Sequence, residues 1–195
     1  MLMQTILILN GPNLNRLGTR KPEVYGSKSM AQILLDIQRR WPEVHFVYQQ
    51  SNHEGDLIDW IQSINDGMLR TDVLNDEPTA LNDVQGNVLN DEPAALNDVQ
   101  GNVLNDEPTA LNDVQGIVLN AGGYSHTSVA LRDAVEEAGE AGVPVVEVHI
   151  SDIRQREAFR RESLLTEVCA HSIIGHGTDG YLEAVNWLLN NVREL

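Results

Sequence analysis

GIVLNAGGYSHTSVALRDAVEEAGEAGVPVVEVHI, residues 116–150, holds one complete strand–helix–strand unit. GIVLNA at 116–121 and PVVEVHI at 144–150 are continuous apolar, β-branched runs, the pattern of strands covered on both faces. Ser128 to Ala141 between them has a helical pattern. A helix joining two such strands is a right-handed crossover, so the two strands are parallel neighbours in one sheet.

Working outward, the unit recurs. TILILN at 5–10 and VHFVYQ at 44–49 read as two further strands covered on both faces, and HSIIG at 171–175 as a shorter fifth. Helical patterns occupy Ser29 to Trp41, Glu54 to Ile64 and Tyr181 to Val192. Strand and helix alternate along the chain, which predicts a doubly wound α/β fold with helices on both faces of a parallel sheet. The 195 residues are enough for one domain with a full core, so 1–195 is read as a single domain.

One segment interrupts the alternation. LNDEPTALNDVQGNV at 74–88, LNDEPAALNDVQGNV at 89–103 and LNDEPTALNDVQGIV at 104–118 are three nearly identical copies. Each offers two leucines and two valines to a core, and its proline and glycine limit any helix to about two turns. A unit that buries so little does not make a solenoid. Residues 65–115 are therefore expected to form an inserted, acidic surface loop. Each copy also carries an imperfect version of the strand start, GNVLN against GIVLN, and only Ile117 replaces the asparagine found at 87 and 102. An asparagine amide buried in a strand needs partners, at a cost of about 1–3 kcal/mol when it lacks them. The copy ending in Ile117 is expected to form the strand.

The formal charge is −16, and the three copies contain nine of the acids and no base. The rest of the chain is only ordinarily acidic and has no basic run, which argues against nucleic acid or an anionic membrane surface as partner. Cys169 is the one cysteine, so no intrachain disulfide can form and a reducing, cytoplasmic setting is expected. The opening MLMQTILILNGPN lacks a basic leader region, its apolar run is too short to span a bilayer, and it reads as a buried first strand.

In an open parallel sheet, ligands bind beyond the carboxyl ends of the strands. Three polar clusters fall there: the loop 10–26 with Asn13, Arg16, Arg20 and Tyr25; NAGGYSHTS at 120–128; and HISD at 149–152, followed by an apparent arginine-rich helix start with Arg154, Arg156, Arg160 and Arg161. Each has a plain alternative. Tyr25 taken alone fits a packed loop residue, Ser125 or Thr127 a helix cap, and Arg154 and Arg161 a solvated face. His45, His53, His171 and His176 and the three tryptophans suit structural roles. Convergence of the three clusters at one sheet edge favours chemistry.

That chemistry is constrained. Lys21 and Lys28 are the only lysines, and neither follows a strand that would bury it, which argues against an imine mechanism. No cysteine or carboxylate cluster suggests a metal site, and GPNLNRLG lacks both phosphate-loop spacings. A tyrosine can act as base if ionised. From a pKa of about 10, only ~0.1% is tyrosinate at pH 7, and neighbouring positive charge lowers the pKa by about 1–3 units.

GPNLNRLGTRKPEVYG, QSNHEGDLIDWI, LNAGGYSHTSVALRDA and VEVHISDIRQREAFRRES resemble the signatures of type II 3-dehydroquinate dehydratase, in that family's order. The resemblance covers nearly the whole chain outside about 65–115. It implies a flavodoxin-like sheet of order 2-1-3-4-5, no cofactor or metal, trimers packed into dodecamers, and dehydration of 3-dehydroquinate to 3-dehydroshikimate in the shikimate pathway of aromatic amino-acid biosynthesis. By the same resemblance Tyr25 is the tyrosinate base, with its pKa lowered by Arg20 and helped by Arg156. Asn13 holds a water on the enolate oxygen, and His149 protonates the leaving hydroxyl, oriented by Glu147. Asn120, His126, Arg160, the backbone amides of Ile150 and Ser151, and Asp133 of a neighbouring subunit hold the substrate. Gly122 and Gly123 let the backbone approach it. Asp152 departs from the family pattern, which commonly has asparagine there. The competing reading is a flavodoxin-like module that binds a ligand or partner without catalysis.

Overall fold

The computed structural model describes residues 4–18, 27–65 and 114–192. Strands β1 (Thr5–Asn10), β2 (His45–Gln50), β3 (Val114–Asn120), β4 (Val145–His149) and β5 (His171–Ile174) alternate with helices α1 (Met30–Arg40), α2 (Glu54–Asn65), α3 (Val129–Glu140) and α4 (Gly180–Asn191). All four strand pairings are parallel. The order is β2-β1-β3-β4-β5.

Side-chain alternation along the strands divides the core in two. Ile6, Ile8, Val118, Val146 and Val148 meet Ile33 and Ile37 of α1 and Val185 and Leu188 of α4. Leu7, Leu9, Ile117, Leu119 and Val145 meet Leu57 and Ile61 of α2 and Leu131 and Val135 of α3. Each such aliphatic side chain contributes about 1.5–3 kcal/mol by burial. The period of two in the strands thus decides which helices cover which face.

The helix ends have local causes. Ser29 caps α1 in a reciprocal box: the Gln32 amide donates to Ser29 Oγ at 3.3 Å and the Ser29 amide to Gln32 Oε1 at 2.9 Å. At α3 the cap is neither Ser125 nor Thr127 but Ser128, whose Oγ accepts the Leu131 amide at 2.8 Å. Residues 122–126 form a 3-10 turn before it, which moves the helix start downstream.

Three further expectations change. β2 is an edge strand with only Phe46 buried, so its apolar run is not covered on both faces. The arginine-rich stretch is no helix but two 3-10 turns, Ile153–Gln155 and Ala158–Arg160. It has no apolar stripe to bury: Phe159 is 70% exposed, and after Ile153 the next core residue is Leu165. Finally, the third repeat copy runs into β3, which starts at Val114, so Val114 and Gln115 belong to the sheet and not to an insertion.

Ile117 occupies the centre of β3, paired with Leu7 and with Val145 and fully buried. At the other end Asn65 belongs to α2 and not to the insertion; the remaining residues assigned to the insertion, 66–113, lie outside the described residues, as do Arg20 and Tyr25. Deleting 74–103 leaves Val73 before Leu104, as it now precedes Leu74, and retains all of β3. On the logarithmic scaling of loop closure, going from about 50 to about 20 residues changes the free energy by only about 0.8 kcal/mol. In the reaction that the resemblance implies, kcat/KM should therefore match the parent's, and the melting temperature should match it or rise slightly. Loss of activity on deletion would show the copies to be structural. No helix among the described residues is long and apolar enough to cross a membrane.

Candidate active site

The register aligns the carboxyl ends of the strands. Asn10 stands opposite both Gln50 and Asn120, and His149 opposite Ile174. Beyond the ends, backbone bonds from Gly11 to Asn120 (2.8 Å), Ser51 to Asn10 (3.0 Å) and Gly175 to His149 (2.9 Å) carry the ladder into the loops. The loops after β1 and β3 are pressed together. A Cβ on Gly11 would stand 2.5 Å from the Ala121 carbonyl oxygen, and Gly122 adopts φ +58° against Pro12. Gly123 has open space where a side chain would stand.

Beneath this rim lies a buried polar network. Tyr181 of α4 donates to Asn10 Oδ1 at 2.8 Å and accepts from Asn120 Nδ2 at 3.0 Å. The Gly122 amide donates to Asn120 Oδ1 at 3.2 Å. Asn120 therefore has its carbonyl and one amide hydrogen committed within the protein. Burial raises the pKa of the Tyr181 phenol and of Tyr48, so neither is prepared for ionisation. Asn52 ties the rim from above: its Oδ1 accepts the Asn13 amide at 2.9 Å and its carbonyl the Tyr124 hydroxyl at 2.8 Å. Asn13 is exposed, at φ 67°, a conformation that asparagine tolerates better than most residues.

At β4 the chain does something costly. Val146 and Val148 face α1 and α4, so strand parity turns Glu147 and His149 to the other face. Glu147 is wholly buried and His149 is 6% exposed. The Glu147 carboxylate takes four hydrogen bonds: at Oε1 from His149 Nε2 (2.7 Å) and Ser163 Oγ (2.5 Å), and at Oε2 from Thr166 (2.8 Å) and Ser172 (3.1 Å). Burial opposes its ionisation. The bond and charge of His149 and the hydroxyls of Ser163 and Thr166 outweigh that, holding Glu147 below the usual carboxylate range. With Nε2–H on Glu147, His149 has Nδ1 for other work.

The His126 ring lies beside it, centroids 6.0 Å apart at 27°. Its Nδ1 donates to the Glu162 carbonyl at 2.7 Å. Its pKa is lowered by burial first and also by the His149 and Arg160 charges, against the opposing Glu162 bond. The neutral ring thus keeps Nε2 as an acceptor. One histidine is held as acceptor, while the other has a carboxylate behind it.

The sequence and the sheet that carries this pair are matched elsewhere. Residues 4–84 and 96–189 match the family described as Dehydroquinase class II. The chain belongs to that family. Among the relatives, a 3-dehydroquinate dehydratase from an Exiguobacterium species is 38% identical, over 96% of each chain. One from Rhodopseudomonas palustris is 36% identical over 93% of this chain and 90% of its own. The crystal structure of a type II dehydroquinase from Butyrivibrio crossotus superposes with a TM-score of 0.69 at 30% identity, covering 95% of this chain and 97% of that one.

The other assigned residues are distributed around the edge. Arg156 Nη1 donates to Ser151 Oγ at 3.1 Å, and Ile150 and Ser151 directly follow β4. Arg160 lies 3.7 Å from Glu157 and stacks over Phe159 at 5.3 Å. Asp133 is exposed on α3 and makes no ion pair among the described residues. Asp152 accepts from the Arg154 amide (3.1 Å) and side chain (2.9 Å) and from Gln155 (3.0 Å). An asparagine would offer one acceptor oxygen there in place of two.

Two of the four histidines read as structural have such partners: His171 stacks on Trp187 at 5.2 Å, and His176 meets Glu183 at 2.8 Å. Both line a groove of about 840 Å³ between β5 and α4 that contains none of the assigned chemistry. Sequence reading passed over Gly11, Asn52, Tyr181 and the three hydroxyls on Glu147. Two signals were present: the matching strand ends LN at 9–10 and 119–120, and an acid inside the apolar run PVVEVHI.

Proposed function

We propose that this chain dehydrates 3-dehydroquinate to 3-dehydroshikimate by anti elimination through an enolate. The observation that carries the reading is His149 at the carboxyl end of β4, fixed through Nε2 by an ionised, buried Glu147 and so oriented to give a proton from Nδ1. In this mechanism Tyr25, activated by Arg20 and Arg156, removes the proton from the carbon beside the ketone. A water on Asn13 stabilises the enolate oxygen. The C–O bond then breaks, and His149 protonates the departing hydroxyl to give water. His126, Asn120, Arg160, Ser151 and Ile150 hold the substrate's carboxylate and hydroxyls, with Gly123 open to its approach.

No cofactor or metal is assigned a step. Lys28 is poorly suited to an imine: its ammonium meets Asp36 at 2.9 Å, and that bond raises its pKa, whereas an amine nucleophile needs it lowered. Exposed Asp133 suits a contact from a neighbouring subunit, and trimers assembled into dodecamers in the cytoplasm are part of the proposal.

The direct test is the ultraviolet absorbance of the conjugated product on adding 3-dehydroquinate to the purified protein. A mere binding module produces none. The rate should be unchanged by chelators and by borohydride with substrate present. Inactivation by borohydride would establish an imine and refute the tyrosinate route. Tyr25→Phe and Arg20→Ala should each lower kcat far more than they weaken substrate binding, and a Tyr25→Phe protein that keeps most of its kcat would remove the assigned base.

A further inference from the structure

We propose that Thr166, Ser163 and Ser172 are positioning residues for the acid, holding the Glu147 carboxylate so that it fixes the ring and tautomer of His149. The inference rests on His149 being the acid of the proposed function and extends it to residues that touch neither substrate nor His149.

The three hydroxyls reach Glu147 from two directions. Ser172 stands opposite Glu147 in the β4–β5 register. Ser163 and Thr166 come from the segment between the second 3-10 turn and β5, which is docked by the fully buried Leu165 and by the Leu164 amide on the Ser125 carbonyl at 2.8 Å. Ser163 has one hydrogen and two acceptors near it. Glu147 Oε1 at 2.5 Å takes it over the Ser125 carbonyl at 3.4 Å, and Ser163 Oγ in turn accepts the Leu165 amide at 3.1 Å. Thr166 is exposed as a residue, yet its hydroxyl turns inward to Oε2 at 2.8 Å. The same segment supplies the Glu162 carbonyl that holds His126. Residues 162–166 therefore set the orientation of both histidines.

The hydroxyls matter because a buried carboxylate without donors takes up a proton. A protonated Glu147 would donate to His149 Nε2 instead of accepting from it, reversing the tautomer. The elimination requires the opposite arrangement. The electron pair of the breaking C–O bond goes to the leaving oxygen, which takes the Nδ1 proton of an imidazolium. The ring left behind is neutral, with its remaining proton on Nε2 against Glu147. Were the ring already neutral with its proton on Nδ1, the same transfer would leave an imidazolate, a far poorer product.

Thr166→Val removes one donor at nearly constant volume and Ser172→Ala removes another. The double variant should lose about tenfold or more in kcat with KM within about twofold, the size expected for a partner that orients a catalytic group. Thr166→Ser should keep the parent's kcat. In the resting protein, without substrate and at a pH high enough for the ring to be neutral, ¹⁵N spectra of His149 should show the Nε2–H tautomer in the parent and its loss in the double variant. The spectra read the tautomer whether or not the chain is a dehydratase, so failure of the positioning role and failure of the acid assignment give different results. Unchanged kcat together with an unchanged His149 spectrum would overturn the proposal. If the double variant does not fold, Thr166→Val alone, at an exposed position, is judged by the same two measurements.

Discussion

His149→Ala lowers kcat by about 10²- to 10⁴-fold, the range for losing a positioned general acid, with a much smaller change in KM. The leaving hydroxyl must depart with a proton, and the buried side chain at the end of β4, backed by Glu147 at 2.7 Å, is placed to give it. The substitution also strips Glu147 of one of its four donors. Ser163, Thr166 and Ser172 remain, so the strand keeps its anchor and the folded fraction should change little. Steady-state kinetics from the product absorbance, alongside a thermal melt, separates the two effects. Retention of most of the kcat in a folded His149→Ala protein would transfer the acid role elsewhere.

Ile117→Asn should destabilise the sheet strongly. Ile117 is fully buried between Leu7 and Val145, in the core shared with α2 and α3. Removing its aliphatic bulk costs about 2–5 kcal/mol, and an unpartnered amide in its place adds about 1–3 kcal/mol. Together these take a large share of the roughly 5–15 kcal/mol that keeps a domain folded. The substitution has a second consequence peculiar to this chain. It makes VQGIVLN at 114–120 identical to VQGNVLN at 84–90 and 99–105, so that three segments compete for one place between β1 and β4. Denaturant unfolding should show a markedly lower midpoint, whereas Ile117→Val should cost only about 0.5–1.5 kcal/mol. A midpoint unaffected by asparagine would mean that burial of Ile117 does not select the strand.

The two variants probe features that were legible to different degrees. Ile117 could be singled out from the repeats alone, because a buried strand rejects an amide and only one copy lacks it. Glu147 and His149 could be noticed as polar residues in an apolar run. The charge state of one and the tautomer of the other depend on Ser163, Thr166 and Ser172, and single hydroxyls spread over ten residues carry no pattern that marks them as partners of β4.

What the sequence by itself determined is local. The apolar runs and helical periods gave five strands, four helices and a parallel α/β sheet, because burial of one side-chain face imposes a period that any short window displays. The four motifs carried the family. Tertiary structure decided what depends on neighbours distant in the chain. β2 is an edge strand although its residues resemble those of a central one, since exposure depends on what lies beside the strand and not on the strand. The arginine-rich segment forms 3-10 turns and no helix, with Phe159 left 70% exposed. Tyr181 joins Asn10 across 171 positions, and residues 162–166 bond both His126 and Glu147. Such contacts exist only once the sheet has brought the strand ends into one row, since hydrogen-bond geometry belongs to positions in space and a sequence records only positions along the chain.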